Sequence, residues 1–285
     1  MTATALPTTA PATSLPGPRH AFVALLLRDV RVLRKNLKSF VLRTIMQPLL
    51  FTFVFAYVFP KIGQGIGGSG GGGPQRGPTF ATVLLPGLVA VSIIFQGIQA
   101  VALPLVQEFS YTKEIEDRVL APMSVNLVGL GKVFAGAIQA MLSACIVFPI
   151  VMFVHAKGQG PTITHANWPL FAVVLILASF LGASFGLLIG TSFAPQQVPL
   201  VFSIIVLPLT LLGCIYYPWS FLSPIAWLKY AVLVNPLVYM SEGMRAALTP
   251  KVGHMNLVVV LLAMAAVTAV LLLQSLRKFR QRVVV

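Results

Sequence analysis

The chain has 285 residues, of which 57% are hydrophobic and 9% are charged, and its formal net charge is +14. Apolar runs long enough to span a bilayer recur along it, which excludes a soluble globular domain and predicts a polytopic membrane protein. Because the basic residues cluster at the two chain ends, the charge predicts membrane topology rather than nucleic-acid binding. Cys145 and Cys214 lie in apolar runs without a CxxC spacing or neighbouring histidines, so they predict no metal site.

The N-terminal region divides into a tail and a basic amphipathic segment. The first eighteen residues have neither basic residues nor a continuous apolar core, so residues 1–19 are predicted to be a disordered tail rather than a signal peptide. Within residues 20–40, apolar side chains recur at steps of three and four, at Phe22, Leu26, Val30, Leu33, Leu37 and Phe40. The opposite side carries Arg28, Arg31, Lys35 and Lys38. This pattern predicts an interface helix beside an anionic leaflet, and it fits a plain surface anchor as well as a coupling role.

The transmembrane domain is predicted over residues 41–275. Its six spans lie at about residues 41–59, 80–106, 127–154, 168–192, 198–217 and 255–274. An even number of spans places both chain ends on one side of the membrane. On that topology fourteen basic residues lie on the side of the termini and six on the other. The termini, including a basic tail at 276–285, are therefore predicted to be cytoplasmic.

Two patterns within the spans are informative. Phe51, Phe55 and Phe59 form a stripe on the first span, which faces lipid, the protein core or a substrate pathway. In the fourth span Gly182, Gly186 and Gly190 recur at intervals of four. Such a smooth face predicts close approach of another helix, either within the chain or between chains.

A polar island, Gln107 to Ser124, separates the second and third spans. It holds four of the six carboxylates of the chain, namely Glu108, Glu114, Glu116 and Asp117. A charge at the centre of a bilayer costs roughly 3 kcal/mol or more, so the island is predicted to lie in water beside the membrane. Pro122 ends the island helix, since proline lacks an amide donor. The sequence therefore predicts a short cytoplasmic docking helix.

The stretch between the fifth and sixth spans is too apolar for a solvated loop. Pro218, Pro224 and Pro236 break it into short helical pieces. Two pieces, Trp219 to Lys229 and Pro236 to Leu248, are predicted to enter the outer leaflet and return as a re-entrant hairpin. The residues Trp219, Trp227, Tyr230 and Tyr239 suit the membrane interface, because each is apolar with one polar tip.

Several kinds of chemistry are missing from the sequence. It contains no GxxxxGK[ST] phosphate loop, HExxH or GxSxG motif, and no pair of carboxylates within a predicted span. The absence of an intramembrane carboxylate disfavours proton coupling. The energy for transport is therefore expected from elsewhere, with the charged island as the surface that a soluble motor contacts.

With this organisation the chain resembles the ABC type 2 permease family of exporters, from about residue 20 onward. Two strings carry the resemblance: EIEDRVLAPMSVNLVGLGK, from Glu114 to Lys132, and NPLVYMSEGMR, from Asn235 to Arg245. The resemblance implies an all-α integral membrane protein with six transmembrane helices, an N-terminal amphipathic interface helix, a cytoplasmic coupling helix and a re-entrant outer hairpin before the last span.

The resemblance also implies partners and site residues. The chain itself would hold no cofactor, while two copies of an ABC ATP-binding subunit would bind ATP and magnesium. Its other partners would be a second copy of itself or a paralogous permease, and membrane lipids. The residues implied to contact the ATPase are Glu114, Glu116, Asp117 and Arg118, with Arg28, Arg31 and Lys35 as secondary contacts. Those implied at the outer hairpin and substrate exit are Trp219, Trp227, Asn235, Tyr239, Glu242 and Arg245.

The predicted function is export of an amphipathic drug, lipid or lipid-linked glycan across a bacterial plasma membrane. The importer signature EAAxxxG is absent, which favours export. One alternative is an ATP-independent channel or secondary transporter, which would work without a partner ATPase. Another is a membrane enzyme or scaffold, which would need a catalytic cluster that the sequence does not show.

Overall fold

The chain folds into helices joined by short connections. A computed structural model describes residues 18–62, 78–109, 124–158, 160–163 and 165–284, and within these ranges it contains no strand. The helices are α1 (Pro18–Lys35), α2 (Leu37–Thr52), α3 (Phe80–Gln107), α4 (Val125–Phe153), α5 (Trp168–Ser192), α6 (a broken helix of Val198–Val201, Phe202–Val206 and Leu207–Leu211), α7 (Ala226–Ala231), α8 (Pro236–Leu248) and α9 (Leu257–Val284). A π-helical turn, Phe53–Val58, and Phe59–Lys61 extend α2. The all-helical class predicted from the sequence is confirmed.

Five helices of the described ranges are long and apolar enough to cross a membrane. They are Leu37–Val58, Phe80–Gln107, Val125–Phe153, Trp168–Ser192 and Leu257–Val283. Four of the predicted spans correspond closely to these helices. The last helix runs about ten residues beyond the predicted span 255–274 and includes most of the predicted basic tail. The predicted span 198–217 corresponds to α6, whose helical part ends at Leu211.

Local sequence signals set the starts of several helices. The side chains of Thr79, Asn167 and Asn235 accept amide hydrogen bonds from the first turns of α3, α5 and α8, which satisfies donors that a helix start leaves unpaired. Pro236 begins α8 at a position where no amide donor is needed. The predicted interface helix 20–40 is instead two helices, because the backbone leaves the helical region at Asn36.

Helix α3 is the centre of the bundle and is buried along nearly its whole length. It packs on α5 through glycines: a Cβ atom placed on Gly97 would lie 2.7 Å from the backbone carbon of Gly182. A Cβ on Gly186 would lie 2.8 Å from the Cα of Ile98. Only hydrogen fits at these positions, so the predicted glycine face of the fourth span is used within the chain, against α3.

Contacts between residues that are distant in sequence define the two ends of the bundle. At the near end, α1 meets the start of α4 through Phe22 and Phe134, and Phe109 after α3 meets Phe279 of α9. At the far end, the amide of Ala156 donates to the carbonyl of Ala56 at 3.1 Å. There also the amide of Asn167 donates to the carbonyl of Ala247 at 2.7 Å, which joins the start of α5 to the end of α8. Helix α1 and the C-terminal end of α9 both lie at the near end.

Helix α6 runs along α3 towards the far end. Its Phe202 ring contacts Phe95 in the middle of α3 at a centroid distance of 5.8 Å. After α6, Ile215 lies directly against Gly87, where a Cβ atom would come within 2.3 Å of the Ile215 carbonyl oxygen. The connection after α6 therefore packs against the first part of α3.

Candidate functional site

A polar cavity of about 460 Å³ opens at the near end between α1, α2, α3 and α4. Its charged lining residues are Arg28, Asp29, Arg43, Glu108 and Lys132. Its uncharged polar lining comes from Asn36, Ser39, Gln99, Gln107 and Gln139. This density of polar groups is unusual beside apolar spans, and it makes the cavity the first part of the candidate site.

Helix α1 brings only one of its three predicted contact residues to this cavity. The Arg28 side chain lines the cavity and lies 3.7 Å from the Asp29 carboxylate. Arg31 and Lys35 are exposed on α1 and line no part of the cavity. Both remain free of the bundle interior, which is compatible with their predicted contact with a soluble partner.

A buried ion pair joins the two helices that flank the polar island. The Lys132 ammonium of α4 donates to the Glu108 carboxylate, just after α3, at 2.5 Å, and both side chains are about nine-tenths buried. The expectation that the island lies in water is therefore wrong for Glu108. Burial is possible because the opposite charge and hydrogen bond of Lys132 compensate the lost hydration.

The predicted coupling residues Glu114, Glu116, Asp117 and Arg118 lie outside the described residues. The structure describes the two helices to which their segment is attached, α3 before it and α4 after it. The Glu108–Lys132 pair links these attachment points directly. The end of α3 and the first two turns of α4 are therefore held together by an ion pair.

The phenylalanine stripe of the first span forms part of an aromatic cluster. The rings of Phe51 and Phe55 are parallel at a centroid distance of 6.1 Å, and Phe55 contacts Phe59 at 5.0 Å. Phe51 and Phe55 also contact Tyr216, at 5.9 and 5.2 Å. The sequence analysis did not single out Tyr216, because the link between the first span and residue 216 is a tertiary contact.

An apolar groove of about 310 Å³ lies beside this cluster, between α2, α3 and α6. Phe51 is on one wall, Phe95 on the second, and Phe202, Thr210 and Tyr216 on the third. The stripe residues Phe55 and Phe59 do not line this groove. Of the three phenylalanines, Phe51 is the one that lines this groove.

The far end is held by a charged network around Glu242 and Arg245, which have no exposed side-chain area and form an ion pair on α8. The Glu242 carboxylate also accepts hydrogen bonds from the backbone amides of Trp219 and Met255, each at 2.9 Å. Arg245 donates to the carbonyl of Cys214 at 3.1 Å. Burial lowers the pKa of Arg245, while the Glu242 carboxylate opposes that shift. The network joins two segments of chain to α8, the connection after α6 and the residues before α9, so Glu242 and Arg245 hold the far end together from inside the protein.

Three other predicted exit residues also make contacts within the protein. The Trp219 indole donates to the Lys229 carbonyl at 2.9 Å, and the Asn235 amide donates to the Leu209 carbonyl at 2.7 Å. The Tyr239 hydroxyl donates to the Leu233 carbonyl at 2.8 Å.

Trp227 differs from these residues, because 73% of its surface is exposed. Tyr230, one turn later on α7, is 68% exposed. Of the predicted exit residues, Trp227 is therefore the one whose side chain stands free to meet a lipid or a cargo molecule.

Comparison with known proteins identifies a matching family. A family model described as ABC-2 type transporter matches residues 20–249. The chain is also similar to the inner membrane transport permease YadH of Escherichia coli (strain K12) and to that of Shigella flexneri. Each relative is 29% identical over 173 residues, which cover 60% of this chain and 64% of the relative. The match thus spans slightly less than two thirds of the relatives' own length.

Proposed function

Because the chain belongs to the ABC-2 type transporter family, we propose that it is the membrane-spanning permease subunit of an ATP-driven exporter. Its cargo is an amphipathic drug, lipid or lipid-linked glycan. The observation that supports a coupling role is the buried Glu108–Lys132 pair, which ties the end of α3 to α4 on either side of the charged island. An ion pair at this position would keep the two helices together when a partner subunit moves the island.

The energy source is a separate subunit. The sequence has no phosphate loop of its own, and the family resemblance implies two copies of an ABC ATP-binding subunit, which bind ATP and magnesium. The residues that contact them are Glu114, Glu116, Asp117 and Arg118. The exposed side chains of Arg31 and Lys35, with Arg28 beside them, add secondary contacts.

The proposed topology has six crossings, with both termini on the cytoplasmic side of the bacterial inner membrane. Support for the sixth crossing comes from α6. The chain leaves α5 at the near end, where Ser192 accepts a hydrogen bond from Lys278 of α9, and meets Gly87 by Ile215. The fourteen residues of α6 give only about 21 Å of helix, and the irregular residues on both sides supply the remaining length of a crossing of about 30 Å.

The proposed class of cargo is based on two surfaces, the apolar groove and the exposed rings of α7. The groove beside Phe51, Phe95 and Tyr216 is apolar with a few hydroxyl groups, which suits a molecule with an apolar body and a polar end. Trp227 and Tyr230 offer exposed amphipathic rings at the far end, where the molecule leaves. A second permease, either the same chain or a paralogue, closes the pathway from the other side.

The proposal is tested in inside-out membrane vesicles from cells that contain or lack the chain. An exporter accumulates its cargo inside such vesicles when ATP is added. We expect ATP-dependent, vanadate-sensitive uptake of at least one of a cationic amphipathic dye, a neutral amphipathic dye and a labelled short-chain phospholipid. Uptake that needs no ATP, or that follows a proton gradient, would contradict the proposal and favour a channel or secondary transporter.

A further inference from the structure

We propose that the near-end cavity binds a phosphate group through Arg43 and Gln96, as a site distinct from the apolar groove. The proposal rests on the cavity itself and does not depend on ATP-driven transport. The phosphate belongs to an anionic phospholipid headgroup or to a small soluble phosphate, and the chemistry of recognition is shared by both.

One cation in the described lining of the cavity, Arg43, has no carboxylate beside it. Among the described residues, five charged side chains line it: Asp29 lies 3.7 Å from Arg28, and Glu108 lies 2.5 Å from Lys132. Arg43 is the third cation of the lining, and no described residue forms an ion pair or a hydrogen bond with its side chain. The cavity therefore carries one positive charge that the described part of the protein does not neutralise.

A second, independent feature lies next to Arg43. Gln96 of α3 is 4% exposed, and its Oε1 atom accepts a hydrogen bond from the Thr44 hydroxyl at 3.3 Å. Its amide nitrogen has no hydrogen-bond partner among the described residues. A buried donor without an acceptor costs about 1–3 kcal/mol of free energy. A ligand that brings an acceptor to Gln96 removes this cost, which favours its binding.

The position of Gln96 connects this donor to the cavity. Gln96 and Arg43 both line a small pocket of about 40 Å³, which shares Arg43 and Gln99 with the main cavity. The small pocket has room for little more than one water molecule or one oxygen atom. A ligand in the main cavity can therefore place one oxygen towards Gln96 while the Arg43 guanidinium contacts its neighbours.

Phosphate matches this set of donors better than a simple anion does. The guanidinium of Arg43 has a planar fork of donors, which suits two oxygens of one phosphate group. The Gln96 amide supplies a donor to a third oxygen, and Ser39 and Gln99 add hydroxyl and amide groups in the lining. The basic interface helix α1 lies on the same cavity, so the site is at the level where lipid phosphates are found.

The test measures lipid binding to the full-length purified protein by native mass spectrometry. The probes are phosphatidylglycerol and phosphatidylcholine with identical acyl chains, and glycerol phosphate and inorganic phosphate without chains. We expect phosphatidylglycerol to bind more tightly than phosphatidylcholine. Arg43→Gln should weaken that binding at least about ten-fold, the loss that one hydrogen bond to a charged group brings. Arg43→Lys should retain part of it.

Two further variants separate the site from general surface charge. Arg280→Gln removes an exposed cation of α9 at the near end, outside the cavity, and should leave binding unchanged. Gln96→Leu keeps every charge, removes the buried amide donor and should weaken binding, which tests the site even where Arg43→Gln fails to fold. Tight binding of inorganic or glycerol phosphate that Arg43→Gln abolishes supports the site with a soluble source. Equal binding of the two lipids without phosphate binding, or equal losses in Arg280→Gln and Arg43→Gln, would overturn the proposal.

Discussion

The buried pair of Glu242 and Arg245 allows a quantitative test of how the far end is held together. Replacing Glu242 by leucine leaves a fully buried guanidinium without its carboxylate, and breaking a buried pair in this way costs about 3–5 kcal/mol. The amides of Trp219 and Met255 lose their acceptor as well, at about 1–3 kcal/mol for each donor left unpaired. These costs overlap, so we expect Glu242→Leu to lower the free energy of unfolding by at least about 3 kcal/mol.

Arg245→Met should cost less, because Glu242 keeps two amide donors when the guanidinium is removed. The double variant should be more stable than Glu242→Leu alone, since it leaves no buried cation. Lys251→Met is the control for charge, because Lys251 is exposed at the same end. The assay is thermal unfolding of the purified variants in one detergent. The reasoning is refuted if Glu242→Leu melts together with Lys251→Met, or if the double variant is less stable than Glu242→Leu.

Three further predictions concern packing, coupling and exit. Gly97→Ala should destabilise the protein by about 1–3 kcal/mol, because its Cβ would collide with the α5 backbone. In the same unfolding assay Gly131→Ala should be near neutral, since the new Cβ meets only the Phe22 ring, at 3.6 Å. Charge reversal of Glu116 and Asp117 together should abolish ATP-dependent uptake in vesicles at unchanged membrane abundance, and intact uptake would mean that another surface contacts the ATPase. Trp227→Ala should reduce uptake without changing the melting temperature, since an exposed ring contributes little to stability; normal uptake would remove Trp227 from the exit.

Long apolar periodicity made the membrane helices predictable from the sequence. The helix Trp168–Ser192 has the predicted bounds because Asn167 caps its start and Pro169 suits its first turn. The glycine spacing in the same helix predicted close packing, and the structure shows its partner to be α3. The family resemblance that was based on the Glu114–Lys132 and Asn235–Arg245 strings is confirmed by the family match over residues 20–249.

What the sequence did not reveal depends on contacts between distant residues. From the sequence Glu108 is predicted to be a solvated charge, because its contact with Lys132, two turns into α4, is visible only in the structure. The family resemblance implied Glu242 as a substrate-exit residue, yet besides Arg245 its partners are the backbone amides of Trp219 and Met255, which no residue pattern marks. The sequence also gives no sign that α6 ends at Leu211, because the apolar run continues to Tyr217. The backbone leaves the helix there, and the Cys214 carbonyl accepts a hydrogen bond from Arg245.

The central claim is that this permease takes its energy from a separate ATPase subunit. Its most direct test is gentle purification of the tagged full-length chain from its native host in nanodiscs, with identification of the proteins that co-purify and measurement of ATP hydrolysis. We predict a stoichiometric soluble subunit that carries a phosphate-loop motif, and ATP hydrolysis by the complex. A clean oligomer of this chain without an ATPase, which still moves solute in liposomes, would contradict the claim.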